Sequence, residues 1–168
     1  VLIAIDPHSG GKEQANLHLS TRRILEKNIS RFQVKRYIRI IEKTSDEALT
    51  VLENARPRLV FIDGDHDHKM VSDDVERWGR LLRHNGYLLL HDVMDIVGPQ
   101  MVFKELLKSK NFIFVDLIGN LAVFRKTSGL NFLAVVKNWI VLLIYLLFYS
   151  FYHSHNDIYN YPELLNKK

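Results

Sequence analysis

The stretch Val60-Phe61-Ile62-Asp63-Gly64-Asp65-His66, followed by Tyr87-Leu88-Leu89-Leu90-His91-Asp92, decides the fold. Each half is a short apolar run that stops at an acidic turn carrying a histidine. Such runs, bounded by turn residues, read as buried strands. The intervening segment, from about Lys69 to Arg83, has helical character, and Asn85-Gly86 marks the turn before the second run. Strand, helix and strand in that order predict a parallel pair joined by a crossover helix. Ligands of open parallel sheets sit beyond the carboxyl ends of the strands. Asp63, Asp65, His66, His91 and Asp92 all fall there.

The same alternation extends outward. Val1 to Ile5 reads as a buried strand stopped by Asp6-Pro7-His8 and the loop Ser9-Gly10-Gly11. Lys12 to Asn28 reads as a helix with Leu17, Ile24 and Leu25 on one face. Gln33 to Ile41 reads as a strand. Ser45 is the expected N-cap of a short helix through Ala48, Leu49 and Leu52, and Arg58 to Ile62 completes the strand quoted above. Beyond Asp92, Pro99 to Lys110 reads as a helix. Phe112 to Leu117 and Leu121 to Phe124 read as a hairpin about Gly119-Asn120. The expected architecture is α/β, a mainly parallel sheet covered on both faces with an antiparallel C-terminal strand. The expected division is a domain over residues 1–127 and a hydrophobic helix with a polar tail over 128–168.

Composition narrows the function classes. The 168 residues suit one domain, and 47% hydrophobic with 25% charged residues excludes general disorder. The absence of cysteine excludes a disulfide scaffold, a cysteine zinc site and a thiol nucleophile, and fits a reducing compartment. The net charge of +4 comes from scattered basic residues, which leaves no nucleic-acid footprint. No signal peptide is visible, since Val1 to Ile5 lacks a basic leader and a cleavage site.

Acids end three strands: Asp6, Asp63 and Asp92. A helix cap explains one such acid. Three of them, with His66 and His91 beside two, point to a site. Asp6 after a buried strand, with Gly10 and Gly11 nearby, can accept both hydroxyls of a ribose. Gly64 allows a tight turn. Asp63 and Asp92 together suit a hard divalent cation such as magnesium, which would hold substrate oxygens and lower a hydroxyl's pKa. A histidine can take that proton. His66, Asp67 and His68 also admit a transition-metal reading, which the turn between them disfavours. Ser9-Gly10-Gly11-Lys12 lacks the spacing of a phosphate loop, and His153 to Asp157 reads as a polar tail.

The run from Val60 to His66, then Val71, Asp74, Trp78, Leu81-Leu82 and Asn85 to Asp92, resembles class I S-adenosylmethionine-dependent methyltransferases. It is most similar to the O-methyltransferase-like branch whose fourth strand ends in Asp-Gly-Asp-His and whose fifth ends in His-Asp. Some members require magnesium, and members act on sugars and secondary metabolites. The resemblance covers residues 1 to about 126 and implies a Rossmann-like sheet. It implies S-adenosylmethionine as methyl donor and a small-molecule or sugar hydroxyl as acceptor. Asp6 would bind the ribose. Asp63 would contact the cofactor and, with Asp92, hold magnesium. His66 would be the first candidate for general base and His91 the second.

Four departures qualify the resemblance. His68 stands where an aromatic is usual, and Asn85-Gly86 replaces Gly-Gly, a change that Asn tolerates in the left-handed region. A hydrophobic segment follows Phe124. The family's first strand and Gly-rich loop would precede the part matched by Val1 to His8. That strand would lie between the second and fourth. The expectation is therefore an N-terminally truncated copy with a gap in its sheet, which folds poorly and binds the cofactor weakly by itself. The alternative is that the strands from Val1 and Arg58 pair directly. Two rival readings stand beside methyl transfer. One is a non-catalytic membrane-associated or interaction module. The other is a metal-dependent hydrolase using Asp63, Asp65, His66 and Asp92.

Leu130 to Phe151 is long enough to span a hydrocarbon core of roughly 30 Å, although Lys137-Asn138 interrupts it. Two outcomes are expected for residues 130–152: membrane association, as a span or an in-plane helix, or a packed or dimer-forming helix. Arg125 and Lys126 before the segment would keep the domain cytoplasmic, an asymmetry that Lys167 and Lys168 weaken.

Overall fold

The computed structural model describes residues 1–9, 20–128 and 132–156, the side chains of 148–156 excepted. The chain divides into two compact units, Val1–Ala55 and Arg56–Lys168.

In the first unit, β1 (Leu2–Ile5) pairs in parallel with β2 (Ile38–Ile41), Leu2 opposite Ile38 and Ile5 opposite Ile41. The connecting helix α1 (Thr21–Arg31) begins where the Ser20 hydroxyl accepts the Arg23 N–H. The helix expected from residue 12 is thus described only from Thr21 onward. Gly10, Gly11, Lys12 and Leu17 lie outside the described residues. The strand expected from Gln33 is shorter. Gln33 takes a φ of 55° and Lys35–Tyr37 forms a 3-10 turn, leaving four residues to pair with β1. The cap of α2 (Ser45–Leu52) is Thr44, not Ser45. The Thr44 hydroxyl accepts the Glu47 N–H while the Glu47 carboxylate accepts the Thr44 N–H at 2.9 Å. This reciprocal box needs an acid or amide three residues after the cap, and the corresponding residue after Ser45 is Ala48.

The second unit holds β3 (Leu59–Ile62), α3 (His68–Leu81), β4 (Tyr87–Leu90), α4 (Val97–Lys108), β5 (Phe112–Ile118), β6 (Leu121–Lys126) and α5 (Phe132–Asn156). Its sheet has the order β3-β4-β6-β5. β3 and β4 are parallel, and β6 runs antiparallel to both of its neighbours. One antiparallel strand in an otherwise parallel sheet agrees with the expectation. Among the described residues, β1-β2 and the four-stranded sheet are separate hydrogen-bonded sheets, so the strands from Val1 and Arg58 do not pair directly.

Strand alternation separates the two faces of the larger sheet. Ile62, Leu88, Leu90, Phe112, Phe114 and Phe124 join one core with Val71 and Val75 of α3, Phe103 and Leu107 of α4, and Leu142 and Tyr145 of α5. The opposite face carries Leu59, Phe61 and Tyr87, which are 52%, 51% and 41% exposed. Within this unit the helices therefore bury one face, where burial of both was expected.

The C-terminal hydrophobic helix is part of this core rather than an appendage. Ala134, Asn138, Leu142 and Tyr145 recur at helical spacing and are buried, whereas Leu133, Trp139, Ile140, Leu143 and Leu147 face outward. Asn138 explains the polar interruption. Its carboxamide donates to Phe112 O at 2.8 Å and accepts the Phe114 N–H at 2.9 Å, completing the outer edge of β5. Among the described residues, no helix is long and apolar enough to cross a membrane. One face of the helix is packed on the core. Residue 157 and the side chains of 153–156, read as a polar tail, lie outside the description.

Candidate functional site

Parallel pairing in the register Ile62 opposite Leu90 brings the ends of β3 and β4 level. The His91 N–H donates to Ile62 O at 3.1 Å, so the next residue of each strand, Asp63 and His91, emerges at one place. Asp92 then turns the chain with a φ of 58°. Asn and Asp tolerate this left-handed conformation better than most residues.

The side chains converge. His91 Nδ1 lies 3.2 Å from Asp63 Oδ1 and 3.0 Å from Asp92 Oδ1. On the other side of the same carboxylate, Asp92 Oδ2 lies 3.1 Å from His66 Nε2. Four of the residues expected at the site are thus brought together: Asp63, His66, His91 and Asp92. They line a small open crevice with Gly64 and Pro99. The Phe61 ring meets His91 edge-on at 6.3 Å and supports it from the strand side.

The other polar residues of the motif serve the loop itself. Asp65 accepts the Asp67 N–H at 2.7 Å, an Asx turn. Asp67 caps α3 by accepting the Lys69 and Met70 N–H groups. His68 turns away to Glu105 at 2.8 Å. Asp65 lines the crevice but stands outside the Asp63-His91-Asp92 cluster, and the His66-Asp67-His68 cluster does not assemble.

Two contributors were not anticipated. Gly98, near the start of α4, sits so close to the motif loop that a Cβ would lie 2.0 Å from His66 O and 2.8 Å from His68 N. Any side chain there would push the loop away. Asn120, read only as a turn residue, donates through Nδ2 to Asp92 Oδ1 at 3.0 Å and to Asp95 Oδ2 at 2.7 Å. A hairpin whose second strand pairs with β4 must place its turn near the end of β4, and that was the available clue.

Asp6 belongs to the first unit, at the carboxyl end of β1. Its Oδ1 accepts the His8 N–H at 2.6 Å, and its side chain is 56% exposed, which leaves acceptor capacity for a ligand hydroxyl. His8 takes a φ of 52° and its Nδ1 pairs with Thr21 Oγ1 at 3.0 Å, which ties the end of β1 to the start of α1.

The second unit's cluster fits a divalent cation. Asp63, His91 and Asp92 each offer one ligand atom, all within 4.8 Å of one another. His91 Nδ1 is buried and makes no hydrogen bond, although two carboxylate oxygens stand near it. Two carboxylates around an unsatisfied ring nitrogen call for a positive charge between them, and two oxygens with one imidazole nitrogen suit magnesium or manganese.

A family model described as a methyltransferase domain matches residues 1–93. Among solved structures, the MycE methyltransferase of the mycinamycin biosynthetic pathway, in complex with Mg, SAH and mycinamycin VI, is 14% identical with a TM-score of 0.51. That match covers 82% of this chain and 50% of the other. An O-methyltransferase family protein from Burkholderia thailandensis is 13% identical with a TM-score of 0.51, covering 77% of this chain and 52% of that one. At such identities the likeness is one of fold. The chain spans about half the length of these two proteins.

Proposed function

Since this chain belongs to the methyltransferase domain family, we propose that it transfers the methyl group of S-adenosylmethionine to a hydroxyl of a small-molecule or sugar acceptor. The observation that carries this reading is the convergence of Asp63, His66, His91 and Asp92 at the ends of two adjacent parallel strands.

When bound, S-adenosylmethionine supplies an electrophilic methyl carbon on a positively charged sulfur. Asp6 would hold the cofactor's ribose, using the carboxylate left accessible at the end of β1. Asp63, His91 and Asp92 would hold a divalent cation, which when bound would polarise an acceptor oxygen. His66 accepts the acceptor's hydroxyl proton. Its Nε2 faces Asp92 Oδ2, so in the neutral ring that nitrogen carries the hydrogen and Nδ1 is left as the base. The Asp92 carboxylate then stabilises the imidazolium that forms. The magnesium complex of MycE, whose fold this chain shares, supports the cation assignment.

Calorimetric titration with S-adenosylhomocysteine, paired with transfer of a labelled methyl group to a panel of hydroxylated acceptors, tests the reading on the chain extended by the first strand and Gly-rich loop of a related enzyme. Binding together with labelled ether product is the expected result. No binding and no transfer in millimolar magnesium would overturn it.

The outward apolar face of α5 supports a further assignment, association through this helix with a second copy or with lipid. Sedimentation velocity with and without phospholipid vesicles separates the two. A monomer that leaves vesicles untouched refutes both.

A further inference from the structure

We infer that Asn120, in the turn between β5 and β6, is a positioning residue that presents the Asp92 carboxylate to the site. The inference rests on the assignment of Asp63, His91 and Asp92 as a cation site.

The antiparallel register makes the placement unavoidable. Leu90 pairs with Ala122, so two residues further along each chain Asn120 comes opposite Asp92. Gly119, with a φ of 60°, lets the hairpin turn tightly enough for Asn120 to face inward. Four contacts then join the turn to the loop after β4. Asn120 O accepts the Val93 N–H at 3.3 Å, and Asn120 Oδ1 accepts the Met94 N–H at 2.6 Å. The two hydrogens on Nδ2 go to Asp92 Oδ1 at 3.0 Å and Asp95 Oδ2 at 2.7 Å.

These bonds have separate consequences. The two accepted by Asn120 hold the backbone beyond Asp92, alongside the Ile96 N–H that Asp92 O accepts at 3.2 Å. The bond from Nδ2 to Asp92 Oδ1 sets the rotation of the carboxylate. With Oδ1 held toward His91, Oδ2 is left for His66. The bond to Asp95 pins a neighbouring acid to the turn, so that Asn120 bridges two carboxylates. An amide does this without adding charge, whereas an acid at position 120 would add a third negative group.

Groups that orient a ligand without touching the metal typically change metal affinity by roughly 10- to 100-fold when removed. The test titrates Mn²⁺ and Mg²⁺ into the wild-type protein and Asn120→Ala, and follows the Asn120 side-chain amide resonances of the wild type by NMR. Affinity in Asn120→Ala should fall at least about tenfold. In the wild type the Asn120 amide signals should move with the same midpoint as cation binding. A turn residue with only a structural role could lower affinity through the lost Met94 bond, but its amide signals would not follow the cation. Equal affinity in both proteins would overturn the inference while leaving the cation site intact. No binding by the wild type would overturn the cation site and the inference with it. If Asn120→Ala does not fold, the wild-type amide signals still decide: silence on saturation with Mg²⁺ refutes the role.

Discussion

Asp92 Oδ2 lies 3.1 Å from His66 Nε2, while Oδ1 of the same carboxylate lies 3.0 Å from His91 Nδ1. One carboxylate therefore serves two imidazoles, each with its own oxygen. The arrangement separates His66, proposed to take the acceptor's proton, from His91, which sits between two acids. General bases contribute about 10²–10⁴-fold to rate. His66→Ala should lower methyl transfer within that range while leaving S-adenosylhomocysteine affinity unchanged. A rate close to wild type removes His66 from proton transfer.

The cluster of Asp63, His91 and Asp92 makes a separate prediction. Chelator should abolish activity, and Asp63→Asn or Asp92→Asn should raise the magnesium concentration needed to restore it. Removing a carboxylate takes away both a ligand atom and a negative charge from a hard-cation site. Full turnover in excess chelator would sink the metal role and leave acid-base chemistry alone.

Asp6 tests the other unit. If its exposed carboxylate binds the ribose, Asp6→Ala loses charge-assisted hydrogen bonds worth about 1.5–3 kcal/mol, roughly a tenfold to hundredfold weaker Kd for the cofactor. Unchanged affinity by calorimetry removes Asp6 from the site.

Legibility followed the range of the interactions involved. Asp63, His66, His91 and Asp92 could be read because acidic turns after apolar runs mark strand ends, and parallel pairing of β3 with β4 brings those ends level. Asp65 and His68 carried the same side-chain chemistry but were claimed by an Asx turn and by Glu105, and residue type alone does not reveal such competition. Asn120 and Gly98 act across 28 and 32 residues of sequence, on Asp92 and on the backbone of His66. Their roles depend on a β4–β6 register and a helix approach that local pattern does not encode. For α5 the sequence left two outcomes open, because its overall apolarity masked the spacing of Ala134, Asn138, Leu142 and Tyr145 that marks a packed face.

The Thr44–Glu47 box predicts an acid-range effect on stability. Hydrogen bonds from the Thr44 backbone and hydroxyl hold the Glu47 carboxyl below its ordinary value of 4.5. The folded state thus favours the charged form. Its contribution is complete above the unfolded value and disappears as pH falls through the lower folded value. In denaturant titrations from pH 6 to pH 3, Glu47→Gln should lose part of the acid-dependent fall in stability seen in wild type. Superimposable pH profiles would show that the box does not couple to protonation.

Asn138 provides the sharpest test of how α5 is held. It is only 1% exposed, and its carboxamide pairs with the Phe114 N–H and the Phe112 carbonyl at the outer edge of β5. Among the described residues no other strand borders that edge. Asn138→Leu keeps the number of side-chain heavy atoms but is bulkier and more apolar, so in a helix held by hydrophobic burial alone the added apolar burial would offset much of the cost of overpacking. Here it leaves one buried donor and one buried acceptor unpaired, at about 1–3 kcal/mol each. The expected result is a loss of at least about 2 kcal/mol in denaturant unfolding. Leu143→Gln, on the exposed side of the same helix, should cost less than about 0.5 kcal/mol. Unchanged stability in Asn138→Leu would mean that α5 does not complete the edge of β5.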